Sequence, residues 1–347
     1  MPSSSPAPLP PDAEGAAPPE LPLPVLPPRA AESHKGTYGT VLIVAGSRRY
    51  PGAAILAALG AGRAGAGLVQ LALVDEIVPD VLPAVPFATL LRCPATDDGG
   101  LSSAAAAPIL AAARSADAVV VGPGLGTHPD TGALLAALLV GIDKPLLLDA
   151  DALNLIAVAI SSLARGSTQP SGSSPTLSDQ PSAKDWRTFP LDARRLVQHA
   201  ATILTPHPGE FARLAMARGW TELEARPTSP AERRLAACRL ARECGSIVVL
   251  KGHGSVVTDG RRVRTEAAGN PGMARGGMGD VLSGAIGALL CRAPAALPDA
   301  TAAVALAVHA HAVAGDLAAR ELGQEAMLPE DVARLLGHAL ERAPGGG

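Results

Sequence analysis

The chain has 347 residues, 48% of them hydrophobic but only 2% aromatic, and its 29 lysines and arginines stand against 32 aspartates and glutamates for a net charge of −3. That length can bury one large core or two smaller ones, built here from Ala, Leu and Val. The near-neutral balance excludes a general nucleic-acid binder, although binding a nucleotide needs only local donors.

Residues 1–30 are rich in Pro, Ser and Ala without periodicity and read as a disordered tail of polyproline character. They lack a basic stretch followed by an apolar run, so no secretory signal is expected. Short apolar runs follow at 41–45, 68–74, 118–121, 145–148, 202–204, 247–250 and 255–258. Runs that are apolar on both faces suit buried parallel strands. Ala/Leu-rich segments at 53–66, 104–114, 131–140, 230–244, 280–290 and 301–321 have helical length. The alternation predicts an α/β layered fold with a mainly parallel sheet, in which ligands collect at the carboxyl ends of strands.

A second low-complexity stretch, at about 161–185, reads as a loop insertion within one domain covering 31–345. The longest clean apolar run, 133–142, is too short to span a bilayer, so no membrane segment is expected. Cys93, Cys238, Cys244 and Cys291 show neither CxxC nor zinc spacing, which fits a reduced, cytoplasmic protein.

The candidate residues lie at strand ends. The strongest local signal is the glycine-rich stretch 269–284, which runs straight into an apolar helix. Its glycines permit close backbone approach, and the free N–H groups of a helix start form an anion site. Asp280 there has two readings: a cap for the helix, or a general base that deprotonates a hydroxyl attacking phosphorus. No Walker A pattern is present. Lys251, Gly252, His253, Gly254 and Ser255 follow the run 247–250, and form either a cradle for nucleotide phosphates and ribose or a tight turn. His207, stiffened by Pro206 and Pro208, is either presented to a ligand or structural, and Glu210 begins the next helix. Asp149 and Asp151 close another strand, where they hold magnesium through water, bind hydroxyls, or cap. The turn at 122–126 is a weak, incomplete version of a dinucleotide glycine motif. His309, His311 and His338 fall in helical segments and read as packed or solvated, and Asp97-Asp98 reads as a turn.

Together these stretches resemble the NAD(P)H-hydrate dehydratases, carbohydrate-kinase-like repair enzymes related to ribokinase. The resemblance begins at 33–47, passes through 51–54, 63–68, 122–125, 149–154, 205–210 and 249–252, and ends at 269–280, in the family's order. It implies a ribokinase-like three-layer α/β/α fold with a central, mostly parallel sheet. It implies repair of hydrated NADH and NADPH: an adenine nucleotide phosphorylates the hydroxyl on nicotinamide C6, and phosphate then leaves. ADP is the expected phosphoryl donor, giving AMP, with ATP as the alternative and magnesium accompanying the nucleotide.

By the same resemblance, Asp280 is the base at the substrate hydroxyl, and Gly277, Met278 and Gly279 form the anion hole. Lys251 to Ser255, with Gly279, hold the nucleotide, while Ala53, Gly124 and His207 contact the hydrate. No residue is assigned to the metal. Relatives are often tetramers, and many carry an epimerase domain, so a homotetramer served by a separate epimerase is expected. Met278 departs from the usual Thr, which puts a phosphate-binding hydroxyl in doubt. A vitamin-precursor kinase of the same fold and a non-catalytic nucleotide sensor are the competing readings.

Overall fold

The structure, a computed structural model, describes residues 18–166 and 201–343. The apolar runs become strands: Thr40–Val44 (β1), Leu68–Val74 (β2), Ala118–Val121 (β4), Leu146–Leu148 (β5), Thr202–Leu204 (β6) and Ile247–Leu250 (β7). With Thr89–Cys93 (β3), Val256–Thr258 (β8) and Val263–Thr265 (β9) they form one nine-stranded sheet in the order β3-β2-β1-β4-β5-β6-β7-β8-β9. The first seven are parallel, as buried runs without alternation demand. The run at 255–258 was expected to be parallel too. Instead β7, β8 and β9 form an antiparallel meander, because a short turn can only reverse the chain.

The helices are Pro51–Arg63 (α1), Val78–Val81 (α2), Ala106–Ser115 (α3), Pro129–Gly141 (α4), Asp151–Gly166 (α5), Pro208–Ala217 (α6), Glu222–Ala225 (α7), Pro230–Cys244 (α8), Met278–Ala296 (α9), Ala300–Leu322 (α10) and Pro329–Glu341 (α11). Helices α1, α9, α10 and α11 pack on one another as one layer. Helices α3 with α4, and α5 with α6, make the other, and α8 lies on β7 and β8. Small residues let α1 and α9 approach to backbone contact. A Cβ on Gly60 would meet the Val281 carbonyl at 2.1 Å, and one on Gly284 the Ala57 carbonyl at 1.9 Å. Helix α10 has the length and apolarity of a membrane span, but 72% of that stretch is buried inside the fold.

Two expected boundaries move. Residues 18–30, assigned to the tail, lie on the domain: Leu21 is fully buried and donates its N–H to the Val263 carbonyl, while Val263 donates to Pro19. The exposed edge of β9 offers unpaired backbone groups, and this segment fills them. Residues 161–166 of the expected insertion extend α5, whereas 167–185 and residues 1–17 lie outside the described residues.

The register brings Val44, Val121, Leu148 and Leu204 level. The residues that follow each of them therefore emerge side by side at one edge of the sheet. Lys251 joins that edge, donating its N–H to the Pro206 carbonyl.

Candidate functional site

A cleft of about 700 Å³ opens at this edge, between the strand ends of β5, β6 and β7 and the helix starts of α6 and α9. Its lining includes His207, Gly277, Met278, Gly279, Asp280 and the whole turn from Lys251 to Ser255. Ten of the twelve residues expected at a site therefore meet in one cavity, from segments far apart in the chain. Ala53 and Gly124 do not line it. They sit against each other where β1 and β4 diverge: a Cβ on Gly124 would lie 2.7 Å from that of Ala53.

The start of α9 presents free backbone donors to the cleft. Gly277 is the N-cap at φ 92°, a left-handed conformation that favours glycine. Asp280 and Val281 both donate their N–H to the Gly277 carbonyl, and the first-turn N–H groups of Met278 and Gly279 precede any intrahelical acceptor. Met278 is 5% exposed and packs with the hydrophobic core while also lining the cleft. Asp280 does not act as the side-chain cap, because the helix has no side-chain cap hydrogen bond. Burial first, then the charge of Asp149, raises its carboxyl from 3.8 to about 7, against the pull of Lys251.

Beneath this turn lies a buried charge network. Lys251 Nζ donates to Asp149 Oδ1 at 2.6 Å, and Ser283 Oγ donates to Asp149 Oδ2 at 2.7 Å. Glu210 stands 4.0 Å from the same ammonium. Burial opposes the charge of Lys251, but Asp149 and then Glu210 outweigh it and raise its pKa. Burial raises the carboxyl of Glu210, with Lys251 opposing. The ammonium would stand 3.2 Å from a Cβ on Gly279, which places its positive charge directly under the anion turn. Ala150, beside Asp149, holds φ 49°, a strain of roughly 1–2 kcal/mol for a residue with a Cβ.

Each of the turns for which the sequence left alternatives has a structural part. The turn from Lys251 to Ser255 is a tight turn and also lines the cleft: Ser255 Oγ donates to the Gly252 carbonyl, and Arg233 Nη2 donates to those of Leu250 and Lys251. His207 caps α6, its Nδ1 accepting from Gly209 N at 2.9 Å while Glu210 Oε2 accepts from His207 N. Burial, then Lys251 and Arg213, lower the pKa of its half-exposed ring. Asp151 starts α5 and accepts from Gly126 N at 2.9 Å, so it ties the turn after β4 to the site.

Three groups escaped the sequence reading. His311, expected to be packed or solvated, is buried yet lines the cleft. Its Nε2 has no partner, its ring bonds to the Met278 backbone, and burial lowers its pKa to about 4. Glu266 also lines the cleft, with His309 Nδ1 3.1 Å away and Ala268 N donating to it. Asp316 on α10 accepts from Gly269 N and Asn270 Nδ2, anchoring the glycine-rich loop. None of these falls in a local motif. The only grouping of candidate metal ligands found among the described residues, Asp97, Asp98 and His128, lies at the surface outside the cleft.

A mostly parallel sheet between two helical layers, with a glycine-rich helix start and a carboxyl poised near neutrality at its strand ends, defines a kinase-like α/β fold. A ribokinase-like superfamily protein from Enterococcus faecalis has this fold, with a TM-score of 0.68 over 92% of each chain at 23% identity. The chain belongs to the NAD(P)H-hydrate dehydratase family, which matches residues 41–169 and 191–337. It is 32% identical over 323 residues to the ADP-dependent (S)-NAD(P)H-hydrate dehydratase of Bacillus subtilis, covering 91% of this chain and 94% of that protein. The crystal structure of the ADP/ATP-dependent NAD(P)H-hydrate dehydratase from Bacillus subtilis, co-crystallized with ATP/Mg2+, superposes with a TM-score of 0.65 at 29% identity, covering 92% of this chain and 94% of that one. A bifunctional NAD(P)H-hydrate repair enzyme from Thermofilum pendens is 35% identical over 316 residues, and the chain spans only 52% of its length.

Proposed function

We propose that this chain is an ADP-dependent (S)-NAD(P)H-hydrate dehydratase. The observation that carries the proposal is Asp280, a carboxyl raised to about 7 in the first turn of α9, next to the unpaired N–H groups of Met278 and Gly279. A base with its pKa near the working pH is well matched to taking a proton from an alcohol. In this reading the C6 hydroxyl of the hydrate attacks the terminal phosphorus of ADP, Asp280 takes the hydroxyl proton, and AMP leaves. The ring nitrogen's lone pair then expels phosphate from C6. Loss of a proton from C5 restores the double bond of the dihydronicotinamide. The net products are NAD(P)H, AMP, phosphate and a proton.

The turn from Lys251 to Ser255, with Gly279, holds the nucleotide, and the Gly277–Met278–Gly279 backbone receives the transferring phosphate. His207 faces the hydrate across the cleft, while Ala53 and Gly124 extend the hydrate site beyond it. The family name and the name of the Bacillus subtilis relative support the substrate.

Magnesium accompanies the nucleotide in this reading, as in the co-crystallized relative. The donor set fits it poorly as a direct ligand sphere. Asp149 is engaged through both oxygens by Lys251 and Ser283, and Glu266 by His309 and Ala268. The metal would therefore be held by phosphate oxygens and reach the protein through water. A reducing, cytoplasmic setting agrees with the four free cysteines, three of them buried. A homotetramer is also part of the proposal, to be checked by sedimentation.

The deciding experiment offers hydrated NADH and NADPH separately with ADP or ATP and follows the return of dihydronicotinamide absorbance. Recovery with ADP is expected. Recovery with ATP alone would correct the nucleotide. Recovery with neither, alongside phosphorylation of a hydroxymethylpyrimidine or thiazole alcohol, would replace the proposal with a vitamin-precursor kinase. Tight nucleotide binding without either turnover would make the chain a sensor.

A further inference from the structure

The charge balance of the cleft poses a problem for a polyphosphate ligand. Four carboxylates line it: Asp149, Glu210, Glu266 and Asp280. Two permanent cations face them, Lys251 and Arg275. Lys251 is half-buried and committed to Asp149 at 2.6 Å and Glu210 at 4.0 Å, so its charge is largely offset inside the protein. Glu266 is paired with Arg264 at 3.6 Å and His309 at 3.1 Å, so a nucleotide tail arriving at the α9 turn meets first-turn N–H groups beside the carboxyl groups of Glu210 and Asp280, with no uncommitted cation but Arg275 among the lining residues.

Arg275 is placed differently. It lies two residues before the N-cap Gly277, on the turn that delivers the chain into α9. It is exposed, and among the described residues no carboxylate lies within ion-pair distance of it. Its guanidinium donates through Nη2 to the Glu325 carbonyl, in the loop between α10 and α11. That neutral acceptor holds the side chain at the mouth of the cleft without cancelling its charge. The rest of the planar donor fork is available, and such a fork matches phosphate oxygens in pairs.

We propose that Arg275 is a phosphate-binding cation of this cleft, contacting the part of the nucleotide's phosphate tail that is not transferred and offsetting the acidic lining. This rests on the nucleotide-dependent reading above and adds to it a residue of the glycine-rich stretch to which that reading gives no role. The side chain sits at a solvent-exposed rim, so it holds the tail equally before and during phosphoryl transfer. Its contribution therefore falls on affinity rather than on turnover.

The test is calorimetric titration of ADP and ATP into wild type, Arg275→Gln and Arg275→Lys without hydrate, at low and high salt, with adenosine as a phosphate-free competitor. Glutamine keeps a neutral donor for the Glu325 carbonyl and removes only the charge. Arg275→Gln is expected to weaken nucleotide binding about tenfold, in line with one lost charge-assisted hydrogen bond, and to flatten its salt dependence. Arg275→Lys retains most of the affinity, and adenosine binds all three alike. In the hydrate assay the Gln variant raises the nucleotide KM while kcat stays within about threefold. Arg275→Gln binding nucleotide as wild type does, or weakening adenosine equally, overturns the inference. Binding is read without turnover, so a wild type that binds nucleotide but fails to repair hydrate removes the dehydratase reading and leaves this one standing.

Discussion

Lys251 Nζ lies 2.6 Å from Asp149 Oδ1, joining the ends of two strands 102 residues apart under the turn that starts α9. The pair is the keystone of the cleft: Ser283 fixes the second oxygen of Asp149, and Glu210 shares the ammonium. Lys251→Met would leave two buried carboxylates without their cation. We expect it to cost about 3–5 kcal/mol in denaturant unfolding, mostly the price of unpaired charge. Adding Asp149→Asn should recover part of that loss, so the double variant falls short of the sum of the singles. Strict additivity would show that the contact carries no coupling.

Asp280→Asn separates binding from chemistry. The amide keeps the shape of the first turn of α9 but cannot accept a proton. Turnover is expected to fall by about 10²–10⁴-fold, the usual range for a lost general base. Nucleotide affinity should hold or improve, because a carboxylate beside phosphate repels it. Turnover within a few-fold of wild type would exclude Asp280 as the base.

The same carboxyl gives a pH signature in activity and in stability. As a base it must be ionised, so kcat/KM of the free enzyme should rise through about pH 7 and then level. For stability the sign is the reverse. The folded state keeps the proton up to about 7, whereas the unfolded chain releases it near 3.8. The folded state therefore loses stability as pH rises between those values. Asp280→Asn removes this penalty. Its advantage over wild type should grow from about pH 4 to 7 and plateau above, reaching on the order of 1–3 kcal/mol after allowance for solvent screening. Thermal melts of both proteins across that window give the measurement, and a constant difference would contradict the raised carboxyl.

Met278→Thr tests whether the anion turn needs a hydroxyl. The Met278 side chain packs in the core, 5% exposed. Threonine is expected to lower stability by about 1–3 kcal/mol through lost packing, with the nucleotide KM changed less than about threefold. A large gain in affinity would mean that the hydroxyl of the relatives supplies binding that this chain lacks.

Parallel strands buried on both faces leave continuous apolar runs, so six strands were legible at 41–45, 68–74, 118–121, 145–148, 202–204 and 247–250, with a seventh at 255–258 in the wrong sense. Strands β3 and β9 were not: β3 is a partly exposed edge strand that includes Arg92, and β9 has three residues. Helices α5 and α6 were anticipated only at their starts, Asp151 and Glu210, and α2, α7 and α11 were passed over, the first two being four residues long and α11 carrying a charged face. The glycine turn at 269–284, the residues around Lys251 and the prolines flanking His207 were visible because backbone geometry is written locally. Charge pairing is not. That Lys251 is spent on Asp149, that Ser283 and Glu210 complete the network, that His311 reaches the cleft and that Arg275 stands without a carboxylate partner are decided only when strand order brings distant segments together. By itself the sequence determined which residues stand at the strand ends. The tertiary structure decided which of their charges are neutralised and which are left for a ligand, because electrostatic interaction depends on distance through space and on burial, neither of which is encoded at a single position.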